Sequence, residues 1–335
     1  MSFIKTFFII LLLLISFNNL SQDTISARLF PAGEPILRCF ANFHTGISEG
    51  DEKSAFELER AYIGYRMSLS AEFDIKIVLD IGSPDDISEF SRIRRYAYFK
   101  NAALRFRKSF LTIDFGLIDM RHFKLQEEFW GHRYIEKSFS DRHKFGHAAD
   151  LGMDVILDVG SKTKIDLTFS NGEGYFNLQR DNTMKVGLGI ESELYKGFFV
   201  RVYGDVMEKK VVESTWAIFT GYKHKDCFVI GAEYNWKINE GYREAYNRRG
   251  YSIYGSYDLP YDIEIFARYD YIQSNITEND DKPWDLARDG SSVIAGIQYQ
   301  PVKKVKLALS YQDWYPYASN MDNKAYIYLN LEFKY

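Results

Sequence analysis

Apolar and polar residues alternate with a period of two along most of the chain, in segments of about ten residues. Residues 303–312 show the pattern, with Val305 and Leu307 alternating with Lys304 and Lys306. Successive side chains of a strand point to opposite faces of the sheet. The alternation therefore predicts β-strands that are apolar on one face and heavily charged on the other.

Sixteen segments carry this pattern, and the connections between them alternate between short and long. The predicted strands are 36–46, 55–67, 72–82, 94–106, 110–118, 148–158, 162–170, 183–194, 197–207, 213–223, 226–238, 249–258, 262–272, 291–300, 303–312 and 324–335. Outer-membrane barrels have an even strand number, short periplasmic turns and longer extracellular loops. The pattern predicts an all-β protein: a transmembrane antiparallel β-barrel of about 16 strands.

A soluble β-sandwich would also alternate, with its apolar face as the core. It does not explain the regular change of connection length. It also does not explain the last segment, whose apolar face continues from Ala325 to the terminal Tyr335. A barrel strand that ends on an aromatic residue resembles the signal read by the barrel insertion machinery. We expect that machinery and membrane lipids as partners.

The first 21 residues predict export. Lys5 precedes an apolar stretch at 7–17 that is too short for a spanning helix, and Ser21 marks a plausible cleavage site. We interpret 1–21 as a signal peptide, 22–35 as a periplasmic lead-in and 36–335 as the barrel. This order predicts the outer membrane of a Gram-negative bacterium.

Composition fits a barrel better than a helical membrane protein. Aromatic residues make up 17% of the chain, and Tyr and Trp gather at membrane interfaces. Mean hydropathy is −0.30, as expected when lipid-facing and lumen-facing residues alternate. The net charge of −4 does not suggest a nucleic-acid partner. Cys39 and Cys227 fall on predicted strands far apart around the wall, so we expect no disulfide between them.

The longest connection, 119–147, is the third extracellular loop of the predicted barrel. A loop of this length is uncommon unless it is functional. Interleaved aromatic residues and mixed charges favour an inward-folded constriction loop, because fixed charges at a narrow pore set ion preference. The alternative is a solvated surface loop. The candidate selectivity residues are Arg121, Lys124, Arg133, Arg142 and Lys144, with lower weight on Arg60 and Lys76.

The same loop holds four histidines, His122, His132, His143 and His147. Their spacing does not match a standard metal site, so we expect no metal and no cofactor. Ser138, Ser140 and His143 are too weak a pattern for a Ser/His catalytic pair, and we expect no enzyme.

The predicted inward-facing wall carries both signs of charge in similar numbers. Its cations include Arg66, Arg201, Arg249 and Arg268, and its anions include Asp74. A charged lumen implies water, and barrels of this strand number usually leave an aqueous channel. A wall filled by its own salt bridges is the alternative.

Three parts of the chain resemble the phosphate-selective porin O and P family, and their order covers nearly the whole mature chain. They are the strand at 56–66, the segment from Gly116 through Arg133–Ser138, and Asp150-Leu151-Gly152. The resemblance implies a sixteen-stranded outer-membrane channel, with a homotrimer as one form of assembly.

The chain departs from that family in its charges. A Lys and a Pro commonly follow the glycine, where this chain has Leu117–Met120. Lys137 and Ala149 stand where the family often has Arg. We therefore take the channel architecture from the resemblance and leave the substrate open.

The sequence predicts a porin, a passive diffusion channel for small hydrophilic solutes, with anions such as phosphate as candidates. A structural or adhesive barrel with a closed lumen is the alternative. A barrel enzyme is a third hypothesis, which would need a Ser/His pair within about 3.2 Å.

Overall fold

The computed structural model describes residues 31–48, 52–82, 96–179, 181–225, 227–278 and 280–335. In these residues a single antiparallel sheet of sixteen strands closes into a barrel, with β1 paired to β16 and every other pair consecutive in the chain. The strands are β1 Ala32–Gly46, β2 Ser54–Ser68, β3 Phe73–Gly82, β4 Tyr96–Lys108, β5 Leu111–Asp119, β6 Ala149–Val159, β7 Thr163–Ser170, β8 Lys185–Tyr195, β9 Phe198–Glu208, β10 Val212–His224, β11 Phe228–Ile238, β12 Arg248–Leu259, β13 Ile263–Ser274, β14 Gly290–Val302, β15 Val305–Pro316 and β16 Lys324–Lys334. The prediction of a 16-stranded antiparallel barrel is confirmed.

The faces of the strands follow the predicted alternation. On β13, Ile265 and Tyr269 are exposed on the outside of the barrel, whereas Arg268 and Asp270 are almost fully buried inside it. Closure removes both free edges of the sheet, which an open sheet would have to protect. The apolar belt thus lies on the outside and the charged residues surround the lumen.

One end of the barrel has short turns and the other has longer connections, as predicted, except that only three residues, 209–211, join β9 to β10, where a long connection was expected. The connection between β5 and β6, residues 120–148, is long and holds two helices, α1 Lys124–Trp130 and α2 Phe139–Arg142. A 3₁₀ turn, Glu240–Tyr242, lies in the connection between β11 and β12. No helix within the described ranges is both long and apolar enough to cross a membrane.

The first strand begins earlier than predicted. Residues 32–35, which the sequence analysis assigned to the lead-in, pair with β2, with Pro35 opposite Tyr65. Pairing with β16 starts only at Arg38. Pro35 therefore lies where β1 extends past its pairing with β16, and there the missing N–H of proline is tolerated. The predicted signal peptide, 1–21, lies outside the described residues.

The prediction that Arg249 faces inward is wrong. Arg249 pairs with the outward-facing Trp236 and Gln273 and is exposed, whereas Arg248 is buried in the lumen. The sequence does not show which of two adjacent arginines at the start of a strand faces inward, because this depends on the register with the neighbouring strands. Cys39 lies on β1 and Cys227 in the turn before β11, and both thiols are free.

Candidate functional site: the lumen loop and two charged cavities

The connection of residues 120–148, here called the lumen loop, folds into the barrel. Before the loop begins, β5 leaves its pairing with β4 just after Gly116, whose φ is +112°, while it stays paired with β6 to Asp119. A Cβ at this position would lie 2.4 Å from the carbonyl oxygen of Ala102 on the neighbouring strand. Glycine is therefore required where β5 separates from β4, and Ile118, which follows, is almost fully buried.

The lumen loop packs its aromatic side chains mainly against one side of the barrel. Phe129 contacts Phe219 of β10 at 5.1 Å between ring centroids, and Trp130 contacts Tyr254 of β12 at 5.6 Å. Both pairs are edge-to-face, a favoured geometry for aromatic rings. The buried cluster consists of Phe40, Tyr62, Val78, Leu125, Phe129, Trp130, Tyr134, Ile135, Phe219, Tyr254, Phe266, Ile294 and Ala308.

Side chains of the wall also hold the lumen loop by its backbone. Polar groups on β9 to β15 donate hydrogen bonds to carbonyl oxygens of the loop. The donor and acceptor pairs are Arg201 to His122, Tyr254 to Gln126, Lys223 to Glu128, Gln312 to Ile135, Arg268 to Lys137, Arg248 to His143 and Lys237 to Lys144. These bonds satisfy carbonyls that a loop inside a barrel would otherwise bury without partners.

Two of these arginines are fixed by buried carboxylates. Arg201 forms a two-point ion pair with Asp166 at 2.7 and 3.0 Å, and Arg268 forms one with Asp270 at 2.7 and 2.6 Å. Bidentate pairs of this kind orient the guanidinium as well as neutralise it. Each arginine therefore presents its remaining donors to the loop in a fixed direction.

Two charged cavities lie in the lumen beside the loop. The larger, here called the inner cavity, has a volume of about 410 Å³ and lies toward the short-turn end along β2 to β7. Seven basic and four acidic side chains line it: Arg66, Lys76, Arg105, Arg107, Arg121, Lys124 and Lys164, with Asp74, Asp114, Asp119 and Glu128. The cation excess makes this cavity attractive to anions.

The smaller, here called the outer cavity, has a volume of about 140 Å³ and lies closer to the long-connection end. It is bounded by Arg60, Arg133 and Lys137, by Glu59 and Glu136, and by uncharged residues that include Tyr328. Part of the lumen loop therefore forms a wall of each cavity.

Two β-bulges add charged residues to the lumen. The register of β1 and β2 shifts between Phe40 and Ala41, so that Glu59 is the extra residue on β2. The register of β3 and β4 shifts between Val78 and Leu79, so that Lys100 is the extra residue on β4. A bulge re-aims one side chain without breaking the sheet. Both Glu59 and Lys100 consequently turn inward beside residues that already face the lumen.

Lys100 connects the two cavities electrostatically. It interacts with Asp119, which lines the inner cavity, and with Arg133, which lines the outer cavity, as well as with Glu127 of α1. Its ammonium group lies 4.5 Å from the centroid of the Tyr62 ring. A fixed cation therefore stands between the two spaces.

The predicted selectivity residues divide into two groups. Lys76, Arg121 and Lys124 line the inner cavity, and Arg60 and Arg133 line the outer cavity. Lys76 is paired with Asp119 at 2.5 Å, and Arg121 lies 3.7 Å from Asp166.

Arg142 and Lys144 line neither of these two cavities. Arg142 lies 3.6 Å from Asp270 and 3.7 Å from Glu136, with its guanidinium carbon 6.0 Å from the Trp314 ring centroid. Lys144 is exposed, and its carbonyl oxygen accepts a hydrogen bond from Lys237.

Sequence reasoning missed Glu59, Lys100, Arg105 and Arg107 as lumen residues near these cavities. Lys100 left a signal, because it interrupts the apolar face of its predicted strand. Arg105 belongs to the regular inward face of β4 and pairs with Asp114 at 2.6 and 2.7 Å. The period-two alternation of β4 is the signal that could have identified Arg105 and Arg107.

The histidines of the lumen loop do not converge. His122 stacks on Tyr203 at 4.3 Å and His132 packs against Phe266 at 4.4 Å, on strands β9 and β13. Within the described part of the chain, no group of three or more His, Cys, Asp and Glu residues is arranged to hold a metal ion. Burial lowers the pKa of His122 and His143 to about 3, so both rings are neutral inside the barrel at neutral pH.

This closed antiparallel barrel of sixteen strands is similar in fold to outer-membrane porins and channels of known structure. The solved structures that share the barrel fold include three from different bacteria. The structure of OmpF from Salmonella typhi in complex with daunomycin has 11% sequence identity and a TM-score of 0.69, covering 91% of this chain and 98% of that chain. OprB from Pseudomonas putida at high pH has 8% identity and a TM-score of 0.70, covering 90% and 94%. The outer-membrane channel DcaP of Acinetobacter baumannii has 13% identity and a TM-score of 0.65, covering 91% and 96%.

At these identities the similarity establishes the fold. No protein-family model matches the sequence, and no curated protein matches it. The resemblance to the phosphate-selective porin O and P family therefore stays a prediction.

Proposed function

We propose that this protein is an outer-membrane diffusion channel whose passage is displaced to one side of the barrel. The observation that carries the proposal is the uneven filling of the lumen. The wall donates its hydrogen bonds to the lumen loop from β9 to β15, whereas the two charged cavities lie along β2 to β7 and beside β15, β16, β1 and β2, with Lys100 close to charged residues of both. Small hydrophilic solutes would pass from the outer cavity to the inner one.

The charges along this passage favour anions. Basic side chains exceed acidic ones at both cavities, and rings of Arg and Lys in narrow pores prefer anions. Phosphate is one candidate among small anions. Many of the cations are paired, for example Lys76 with Asp119, so the preference is expected to be modest.

Liposome swelling tests the passage directly. Refolded barrels in liposomes should admit small neutral sugars and exclude larger oligosaccharides, because the outer cavity holds only about 140 Å³. Swelling in isosmotic salts of large anions and large cations would report the charge preference. No swelling in any small solute, from barrels that are folded by circular dichroism, would refute a diffusion channel.

The orientation in the membrane follows the porin fold. The exposed apolar belt would face lipid, the short-turn end the periplasm and the long connections the outside, with export through the predicted signal peptide. The last strand ends at Lys334, and the terminal Tyr335 donates its backbone N–H to the carbonyl of Leu37 on β1. This terminal strand is the segment we expect the insertion machinery to bind.

We propose a homotrimer in which β1 to β7 form the buried face. Exposed Tyr and Trp residues of the described strands concentrate on β8 to β15: Tyr195, Trp216, Tyr234, Trp236, Tyr257, Tyr269, Tyr299 and Tyr315. On β1 to β7 only Tyr65 and Tyr96 are comparably exposed, and the strand register turns Tyr96 inward. Tyr and Trp mark lipid interfaces, so a wall without them suits a protein neighbour.

Cysteine cross-linking distinguishes the two faces. In a variant without the natural thiols, I77C on β3 should cross-link between subunits, and the similarly exposed I297C on β14 should not. Equal behaviour of the two positions would refute the assigned face.

The alternative function is a structural or adhesive barrel. The dense packing of the lumen loop is the observation that favours it, because the aromatic cluster fills much of the lumen. Such a barrel would be folded and membrane-inserted but would not admit solutes.

A further inference from the structure

A second long connection crosses the outer end of the barrel. Residues 171–179 follow β7 and run over the end of β6, where the backbone N–H of Tyr175 donates to the carbonyl of Ala149 at 3.1 Å. The backbone N–H of Gly172 donates to Asp150 at 2.6 Å. These bonds direct the segment away from its own strands and across the lumen.

The tip of this segment reaches the wall at β3 and β4. The hydroxyl of Tyr175 donates to the carboxylate of Asp80 on β3 at 2.7 Å. The ring of Phe176 packs edge-on against Tyr98 of β4, with 4.8 Å between centroids. The segment therefore starts at β7 and is attached three to four strands away, passing over β6 and β5.

The attachment point borders the proposed passage. Asp80 is 1% exposed and also lies 3.4 Å from the guanidinium of Arg60, which lines the outer cavity. Arg60 in turn donates to the hydroxyl of Tyr62 at 3.4 Å. Tyr175 is thus connected through Asp80 to Arg60, a residue that lines the outer cavity.

The base of the segment is fixed separately. Lys209 forms ion pairs with Glu173 at 3.2 Å and with Asp181 at 2.9 Å. Gly172 and Gly174 have φ values of +80° and +78°. A Cβ on Gly174 would lie 2.7 Å from the His147 ring, so the segment packs closely on the end of the lumen loop.

We infer that residues 171–179 form a second constriction over the passage and that Tyr175 is a specificity-determining residue. This inference rests on the proposed diffusion channel. Tyr175 restricts the width of the entrance with its ring and holds Asp80, and through it Arg60, with its hydroxyl. The class of solute it selects is a hydrophilic anion small enough to pass beside the Tyr175 ring and the Arg60 guanidinium.

Conductance of aromatic variants tests the inference. Y175A should raise single-channel conductance by about twofold, because removing a ring from a constriction widens it. Y175F keeps the ring and removes the bond to Asp80, so it should alter anion preference with little change of conductance. The control is Y246A, which removes a half-buried tyrosine from the connection between β11 and β12. Conductance of Y175A equal to that of Y246A and the parent would overturn the inference.

Thiol labelling tests the same point without a current. In a background lacking Cys39 and Cys227, Y328C places a thiol at the outer cavity. A bulky, membrane-impermeant thiol reagent added from the outside should react faster when Y175A is also present, whereas Y246A should leave the rate unchanged. Equal rates would overturn the constriction. This measurement does not depend on ion conduction. If the parent barrel carries no current, the proposed channel is refuted, but the labelling rates still show whether residues 171–179 restrict access to the outer cavity.

Discussion

The ammonium group of Lys100 lies over the ring of Tyr62, 4.5 Å from its centroid, although the two residues belong to strands that are not neighbours. The contact exists because the bulge on β4 turns Lys100 into the lumen. Tyr62 also accepts a hydrogen bond from Arg60 at its hydroxyl. One buried tyrosine therefore supports two cations at the boundary between the outer and inner cavities.

Neutralising Lys100 should reduce anion preference more than neutralising a lysine at the rim. We expect K100Q to shift the anion-to-cation permeability ratio toward cations by about twofold, because a fixed charge acts strongly in a narrow, poorly screened passage. The matched control is K108Q, at the short-turn end of the same strand, where Lys108 is exposed and lies 3.4 Å from Glu72. Reversal potentials in a salt gradient measure both. Equal shifts would remove Lys100 from the selectivity site.

The two groups of predicted loop cations should behave differently. R121Q/K124Q removes two charges from the inner cavity and should lower anion preference, whereas R142Q/K144Q removes two charges that line neither described cavity. We expect the reversal potential of R142Q/K144Q to differ from that of the parent by no more than about one fifth of the shift seen in R121Q/K124Q. If R142Q/K144Q shifted the reversal potential more than R121Q/K124Q, the passage would lie beside Arg142 and Lys144, which would contradict its assignment to the two cavities.

Removing the main aromatic anchor should release the lumen loop. Trp130 is 2% exposed, and its indole N–H donates to the carbonyl of Glu136 at 2.8 Å. W130A should weaken docking by roughly 3 to 5 kcal/mol, the usual cost of deleting a buried Trp or Phe side chain. Limited proteolysis should then cut within 120–148, and the current should become larger and noisier.

The outward-facing Trp236, which is 43% exposed, provides the control for this experiment. W236A should leave both the cleavage pattern and the current unchanged. Protection of the loop in W130A equal to that in W236A would show that the aromatic cluster does not hold it.

Acid should loosen the docked loop. His122 and His143 have pKa values lowered to about 3 by burial, whereas an exposed histidine titrates near 6.5. Below pH of about 6.5 the undocked loop binds protons that the docked loop does not, so docking loses stability as pH falls toward 3. Neighbouring cations oppose protonation, Lys185 and Arg201 at His122 and Arg142, Arg248 and Arg268 at His143, although Asp205 and Asp270 favour it.

Hydrogen exchange of the loop between pH 7 and pH 4, corrected for intrinsic rates, measures this loss. H122F keeps a ring on Tyr203 and removes one titration, so its protection should depend less on pH than that of the parent. Protection that does not change with pH in the parent would contradict the predicted linkage.

The fold could be predicted from local patterns because each strand carries its own evidence. Alternation of period two predicted all sixteen strands, and the change between short and long connections predicted their order in a barrel. The longest connection was correctly expected to fold inward. At Gly116 a positive φ accompanies the separation of β5 from β4, shortly before the loop begins.

The arrangement within the lumen could not be predicted in the same way. Whether Lys100 faces lipid or water depends on a bulge, and whether Arg248 or Arg249 faces inward depends on a register of one residue. The positions of Arg121 and Arg142 depend on how the loop lies against the distant strands β9 to β15. The spacing of residues within the loop does not show which strands of the wall the loop contacts.

Single-channel recording of the refolded mature barrel, with different salt concentrations on the two sides, tests the channel most directly. We predict a stable open conductance and a reversal potential whose sign shows a modest anion preference, reduced in K100Q. A folded, inserted barrel that carries no current would contradict the channel and favour the structural or adhesive barrel. A current that prefers cations would contradict the role assigned to the charges along the passage.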